Sequence, residues 1–190
     1  MQPLLRTDKA HSLLYRKMSR GRLSEFEESL LLKEIALLSK TDHWQAESIR
    51  AMSLTAEGHF DEAITIHEKV LAAEPKESAF VGNYASSLSL AGRYQDSYNM
   101  LMRACQLDES NPIFLEGAIQ SAWCLQRPDL AKLHEEQFKK LTGKDFPGTG
   151  KNLLIFSEVA SDYCYSLPHL SGSFSDWERS EEEEAWQHLQ

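Results

Sequence analysis

Residues 56–75 read "AEGHFDEAITIHEKVLAAEP", and their order decides the fold. A Gly (Gly58) is followed two residues on by an aromatic (Phe60), three later by an Ala (Ala63), and at the end by Leu71 and Pro75. An isolated amphipathic helix needs only a 3.6-residue apolar period, not this order. Shifted by 34 residues, "GHFDEAITIHEKVLAAEP" falls on "GRYQDSYNMLMRACQLDE", which puts Gly58 on Gly92, Phe60 on Tyr94, Val70 on Ala104 and Leu71 on Cys105. A second shift brings Ala63 and Ser97 onto Ala131, and Val70 and Ala104 onto Phe138. Self-similarity at this period marks a stacked array of helix pairs.

Each feature then has a physical task. Gly58 and Gly92 supply the left-handed backbone that ends one helix and turns into the next. Phe60 and Tyr94 are placed for the crease between the two helices. Ala63, Ser97 and Ala131 are small where helices must approach, and Ala51 and Ala85 are small in the facing helix. Pro75 stops the second helix. Helices are expected near 45–57 and 61–73, 78–91 and 95–107, and 112–125 and 129–141.

These residues resemble the tetratricopeptide-repeat family. The match rests on Gly58, Phe60, Ala63, Leu71 and Pro75, then on Ala85, Gly92, Tyr94 and Ala104. The third unit departs from the pattern: Ala131 and Leu141 fit, but Gln126 and Pro128 stand where the turn Gly and the aromatic belong, and Ser97 and Glu109 replace the usual Ala and Pro in the second. The resemblance implies an all-α, right-handed superhelical array of antiparallel helix pairs. The array covers 44–145, as units 44–77, 78–111 and 112–145. Residues 1–43 precede it as an N-terminal helical cap or a worn repeat, with Ser24 and Glu27 spaced as a capping box and Phe26, Leu30, Leu31, Ile35 and Leu38 at helical spacing. Residues 146–170 are expected to hold a C-terminal capping helix with Leu153, Phe156, Val159, Ala160 and Tyr163 on one face. Residues 171–190 form an acidic tail in which Trp177, Trp186 and Leu189 offer apolar contacts for docking.

Composition bounds the function. The 190-residue chain carries a net charge of -9, which disfavours nucleic acid as the partner of its body. The charge is uneven, with +5 over residues 1–23 and -5 over 176–190. Cys105, Cys124 and Cys164 are odd in number and widely spaced, as expected of reduced thiols in a cytoplasmic protein. No secretory h-region and no membrane-length apolar run is visible. "FPGTGKN" lacks both anchors of a phosphate loop, since Asp145 and Asn152 occupy the Gly and Ser/Thr places. "HEEQF" at His134 lacks the second His of a zinc-protease motif, and the seven His residues are scattered. The expectation is a non-enzyme without cofactor or metal.

What remains is a surface. The resemblance implies that the first helix of each pair lines a concave groove: Gln45, Ser48, Met52 and Thr55 in the first unit, Ala79, Gly82, Asn83 and Ser86 in the second, and Glu116, Gly117, Gln120 and Trp123 in the third. The groove lacks the Lys and Arg that would clamp a peptide carboxylate, and only Asn83 fits such a clamp. Its amides, Met52 and Trp123 suit a peptide or amphipathic helix with apolar anchors, and Gly82 and Gly117 are read as openings for a ligand backbone. The expected role is a protein-interaction adaptor. The alternatives are a dedicated chaperone- or antitoxin-like protein covering one client, with class-II secretion chaperones similar in general plan, and, less favoured, a nucleic-acid-associated regulator. Self-association is compatible with the same surface.

Overall fold

The computed structural model describes residues 6–146, with side chains from Lys9 onward. The expected C-terminal helix within 146–170, beyond Phe146, and the acidic tail lie outside the described residues. Eight α-helices and no strand occur among those described: α1 (Arg6–Arg20), α2 (Glu25–Leu38), α3 (His43–Ala56), α4 (Phe60–Ala73), α5 (Ser78–Leu90), α6 (Tyr94–Leu107), α7 (Pro112–Cys124) and α8 (Pro128–Thr142). From α3 onward each helix boundary falls within two residues of its expected place.

The turns explain why the units repeat. After α3, the amide of Gly58 bonds to the Thr55 carbonyl at 3.0 Å and that of His59 to Leu54 at 2.9 Å. After α5, Gly92 bonds to Ser89 at 3.0 Å and Arg93 to Leu88 at 2.8 Å. After α7, Gln126 bonds to Trp123 and Arg127 to Ala122, both at 2.9 Å. These are the same bonds, and they satisfy carbonyls that a helix end would otherwise leave open. They require a left-handed residue, with φ of 84° at Gly58 and 76° at Gly92. The third turn keeps the geometry without the glycine, at φ 56° on Gln126, and Pro128 opens α8 at a position where its missing N–H costs nothing. The degenerate unit is thus degenerate in sequence only.

Packing then fills the hairpins. Ala51 and Ala63, both fully buried, share a cluster with Ile66, Val70 and Phe80. Ser97 takes the place of Ala63 one unit on, and its hydroxyl donates to the Ala85 carbonyl at 2.8 Å, so its burial leaves no polar atom unsatisfied. Ile119 and Ala131 pack with Phe138 in the next hairpin. Leu141, which fits the family pattern in sequence, is 40% exposed, while Phe138, at the place of Val70 and Ala104, is buried.

The first hairpin stacks like the others. α1 packs on α3 as α3 packs on α5 and α5 on α7, while α2 meets α3 as α4 meets α5. Ser24 and Glu27 form the expected capping box, with the Glu27 amide donating to Ser24 at 3.3 Å and the Ser24 amide to Glu27 at 3.0 Å. Phe26 is a correction: it is 72% exposed. It lies five residues before Leu31, which places it about 140° round the helix from the stripe of Leu31, Ile35 and Leu38 that faces inward.

Two substitutions should move stability in opposite directions. A side chain at Gly58 meets nothing within 4 Å, so Gly58→Val carries only the left-handed strain and is expected to cost roughly 1–3 kcal/mol. Gln126→Gly releases the same strain and should raise the unfolding free energy by roughly 0.5–1 kcal/mol once the looser unfolded chain is counted, seen as a higher urea midpoint. Equal midpoints for both variants and the parent would remove the turn from the account.

Candidate interaction surface

The first helices of successive hairpins lie side by side, and their outward residues form one face. α5 carries no charged side chain along its length, and α7 carries only Glu116. α3 carries Glu47 and Arg50, which pair with each other at 2.6 Å. The second helices hold most of the charge, with Asp61, Glu62, Glu68 and Lys69 on α4 and Lys132, Glu135, Glu136, Lys139 and Lys140 on α8. Half-buried Gln45, Asn83, Ser86, Gly117, Gln120 and Trp123, with exposed Ala79, are the groove residues that keep surface.

Several of the expected groove residues do not reach that surface. Ser48 is fully buried and accepts a bond from Asn83 Nδ2 at 3.0 Å, so the pair ties α3 to α5. Met52 belongs to the cluster under α1 and α2, and Thr55 is buried against Ser87. Gly82 and Gly117 are corrections of another kind. A Cβ at Gly82 would lie 2.6 Å from Phe114 Cε1, and one at Gly117 2.8 Å from Leu101 Cδ2. These glycines admit side chains of the neighbouring hairpin and do not hold an opening for a ligand. Ser86 donates to the Gly82 carbonyl of its own helix at 3.1 Å. Glu116 is 7% exposed, and burial holds its carboxyl above the usual carboxylate range.

The sequence reading missed what α1 adds. His11 Nε2 lies 3.0 Å from Gln45 Nε2, which extends the face onto the first hairpin. Lys17, buried on α1, donates to Glu28 at 2.6 Å, Ser53 at 3.0 Å and Glu57 at 2.5 Å, and so clamps α1, α2 and α3 together. Burial opposes its charge, but the bonds and attraction to the two carboxylates outweigh that and raise its pKa. The first hairpin turns at Gly21, which is left-handed at φ 73° and stands 37 residues before Gly58.

A polar chain crosses the interior behind the face. His67, fully buried on α4, places Nε2 2.9 Å from Ser87 Oγ, Ser87 lies 2.7 Å from Thr55 Oγ1, and Thr55 donates to the Ala51 carbonyl at 2.9 Å. With Nε2–H as donor every hydroxyl is satisfied. His67 Nδ1 has no partner, so a proton there would meet no acceptor, and desolvation lowers the pKa to about 4. His134 bonds Tyr98 at 2.9 Å and Gln137 at 2.8 Å. Both histidines are structural in placement. Among the described residues no cluster of His, Cys, Asp or Glu is placed to hold a metal, and no helix is long and apolar enough to cross a membrane. A shallow recess of about 260 Å³ lies between the starts of α3 and α5, lined by Asp42, Trp44, Gln45, Glu74, Glu77 and Phe80.

Neither a protein-family model nor a curated protein matches the chain. Solved structures do. PilF of Pseudomonas aeruginosa superposes with a TM-score of 0.55 at 20% identity, over 73% of this chain and 63% of that one. MamA AMB-1 gives 0.50 at 17% identity, over 78% of each chain. Both contain tetratricopeptide repeats. The fold is a tetratricopeptide-repeat solenoid. The MamA R50E mutant gives 0.48 at 16% identity over 71% of this chain and 96% of that one, and adds nothing to the assignment. This chain spans less than two thirds of the PilF chain. Likeness at these identities carries the fold alone, so the solenoid's function has to be argued from its own surface.

The buried histidine makes the solenoid acid-sensitive in a defined window. Above pH 6.5 His67 is neutral in both states and contributes no pH dependence. Between 6.5 and about 4 the unfolded chain takes a proton that the folded one refuses, so stability falls as pH falls, by about 3 kcal/mol at pH 4. Urea unfolding at pH 7.5 and 4.5 should show a larger loss in the parent than in His67→Gln. Identical losses would mean that His67 is protonated in the fold.

Proposed function

We propose that the solenoid is a non-enzymatic protein-interaction module whose face of first helices takes an uncharged peptide or helix of a partner protein. The carrying observation is the absence of charged side chains from α5, together with the pairing of Glu47 with Arg50 on α3 and the burial of Glu116 on α7. Such a face offers an ionic ligand nothing to offset its desolvation. It does offer amides at Gln45, Asn83 and Gln120, a hydroxyl at Ser86, and the half-buried indole of Trp123 as an apolar anchor. Ser48 and Met52 support this face from beneath. From α3 onward the second helices carry most of the charge, which leaves recognition to the neutral side of α3, α5 and α7.

Affinity capture with the intact protein, followed by titration of the captured partner, tests this reading. Ser86→Arg and Gln120→Arg each place a charge on the neutral face and should weaken binding by about tenfold or more, with thermal midpoints held within a few degrees. Raising the salt from 50 to 500 mM should change the parent's affinity by less than about threefold, because no exposed ion pair carries it. A steep salt slope with nucleic acid as the ligand would instead select the regulator reading. One client held at fixed stoichiometry, insensitive to both Arg variants, would select the chaperone- or antitoxin-like reading.

A further inference from the structure

α2 carries apolar residues on both of its sides, yet only one side is packed. Leu31, Ile35 and Leu38 face inward with the core of the first hairpin. On the other side Phe26 is 72% and Leu32 58% exposed, the two most exposed large apolar side chains among the described residues. Ala36 is exposed beside them, and Leu30 and Leu37 are half-buried. At about 100° per residue these five share an arc of about 160° with Glu25, Ser29 and Lys33. α4, which holds the same place in the next hairpin, exposes Asp61, Glu62, Thr65, Glu68 and Lys69 instead. An outer face turned to water is thus built differently in the same stack, and a contiguous apolar patch of this kind marks a contact.

The charge around the patch selects its occupant. Lys33 lies within it, Arg20 and Arg22 stand at the turn that leads into α2, and Lys40 follows its far end. All four are exposed, and none forms an ion pair among the described residues. Other cations of this hairpin are matched from within: Arg16 pairs with Glu27 at 3.1 Å, and Lys17 with Glu28 at 2.6 Å and Glu57 at 2.5 Å. Glu25 is the one exposed carboxylate of α2, so the patch with its two ends is positive on a chain of net charge -9. A second copy of the chain would set these cations against one another across a two-fold contact, which is unfavourable. An anionic bilayer would attract them but repel the acidic remainder of the chain. A single acidic helix meets the patch alone.

We propose that the outer face of α2 is a second docking surface, which takes an amphipathic helix of a partner protein with an apolar stripe flanked by Asp and Glu. The stripe covers Phe26, Leu32 and Ala36, and the carboxylates reach Lys33, Arg20 and Arg22. Ser29 and Ala36 are small and let the two helix axes approach. α2 is about 21 Å long, so the contact is smaller than a standard interface and its affinity is modest. The site is separate from the face of α3, α5 and α7 and selects the opposite chemistry, acid in place of no charge. It stands whether or not that face binds a peptide.

Fluorescence anisotropy with the intact protein tests it. The probe is a labelled helical peptide of about 18 residues, with Leu at every third or fourth position and Glu between, and its twin has Lys for each Glu. The acidic peptide should bind with a dissociation constant below about 100 μM in 50 mM salt, and at least about tenfold more weakly in 500 mM. The Lys twin should bind at least about tenfold more weakly than the acidic peptide. Lys33→Glu, and Phe26→Ser combined with Leu32→Ser, should each weaken the acidic peptide by about tenfold. All three side chains are exposed, so thermal midpoints should stay within a few degrees of the parent. Ser86→Arg and Gln120→Arg should leave this binding unchanged. Failure of the acidic peptide to bind, equal binding of the two peptides, or indifference to both α2 variants would overturn the proposal. So would a dimer in sedimentation velocity that both α2 variants dissociate, which assigns the face to a second copy. Binding to phosphatidylserine vesicles that the α2 variants abolish would assign it to a membrane, and peptide binding that appears only after deletion of 171–190 would assign it to the chain's own tail; either result also overturns the proposal.

Discussion

The structure depends on one close approach, that of two antiparallel helices within each hairpin. Ala51 against Ala63, Ala85 against Ser97, and Ile119 against Ala131 set how near the helices come. The left-handed turn at residues 58, 92 and 126 fixes how one helix enters the other's groove. Once both are set, the hairpin has an apolar flank that only another hairpin can cover, and stacking results. Every helix pair with substantial contact lies within a hairpin or between adjacent hairpins. The core is thus a chain of local clusters, each joining one unit to the next.

That logic decides what the sequence discloses. Gly58, Phe60 and Ala63 recur because each hairpin repeats the same contacts, so the fold and the helix positions are legible from one chain. The third turn is harder to read, because Gln126 adopts the glycine's conformation at a cost in strain while the backbone bonds stay the same. The surface is less legible. Period alone places Ser48 and Met52 on the concave side, but whether they meet solvent depends on what stacks upstream, and α1 and α2 bury them. Gly82 and Gly117 look like openings until Phe114 and Leu101 are seen to fill them. Lys17 was invisible as a structural residue because its three partners come from two other helices.

Buried polar groups mark the junctions between units. Lys17 joins the first hairpin to the second, Asn83 with Ser48 and His67 with Ser87 join the second to the third, and Tyr98 with His134 joins the third to the fourth. Hydrophobic contact alone permits one helix to slide over another. A satisfied polar pair at each junction penalises a slipped arrangement, because sliding leaves its atoms unpaired in a low-dielectric interior. Asn83 with Ser48 ties α3 directly to α5, two of the helices that form the proposed interaction surface.

Small residues at the hairpin crossing set the fold, and a matched pair of substitutions on one helix tests this most directly. Ala63 is fully buried at the crossing, while Ala72 of α4 is exposed. In urea unfolding, Ala63→Leu should lose roughly 1–3 kcal/mol through overpacking, and Ala72→Leu should stay within about 0.5 kcal/mol of the parent. Equal effects at the two positions, or a parent-like midpoint for Ala63→Leu, would contradict the account.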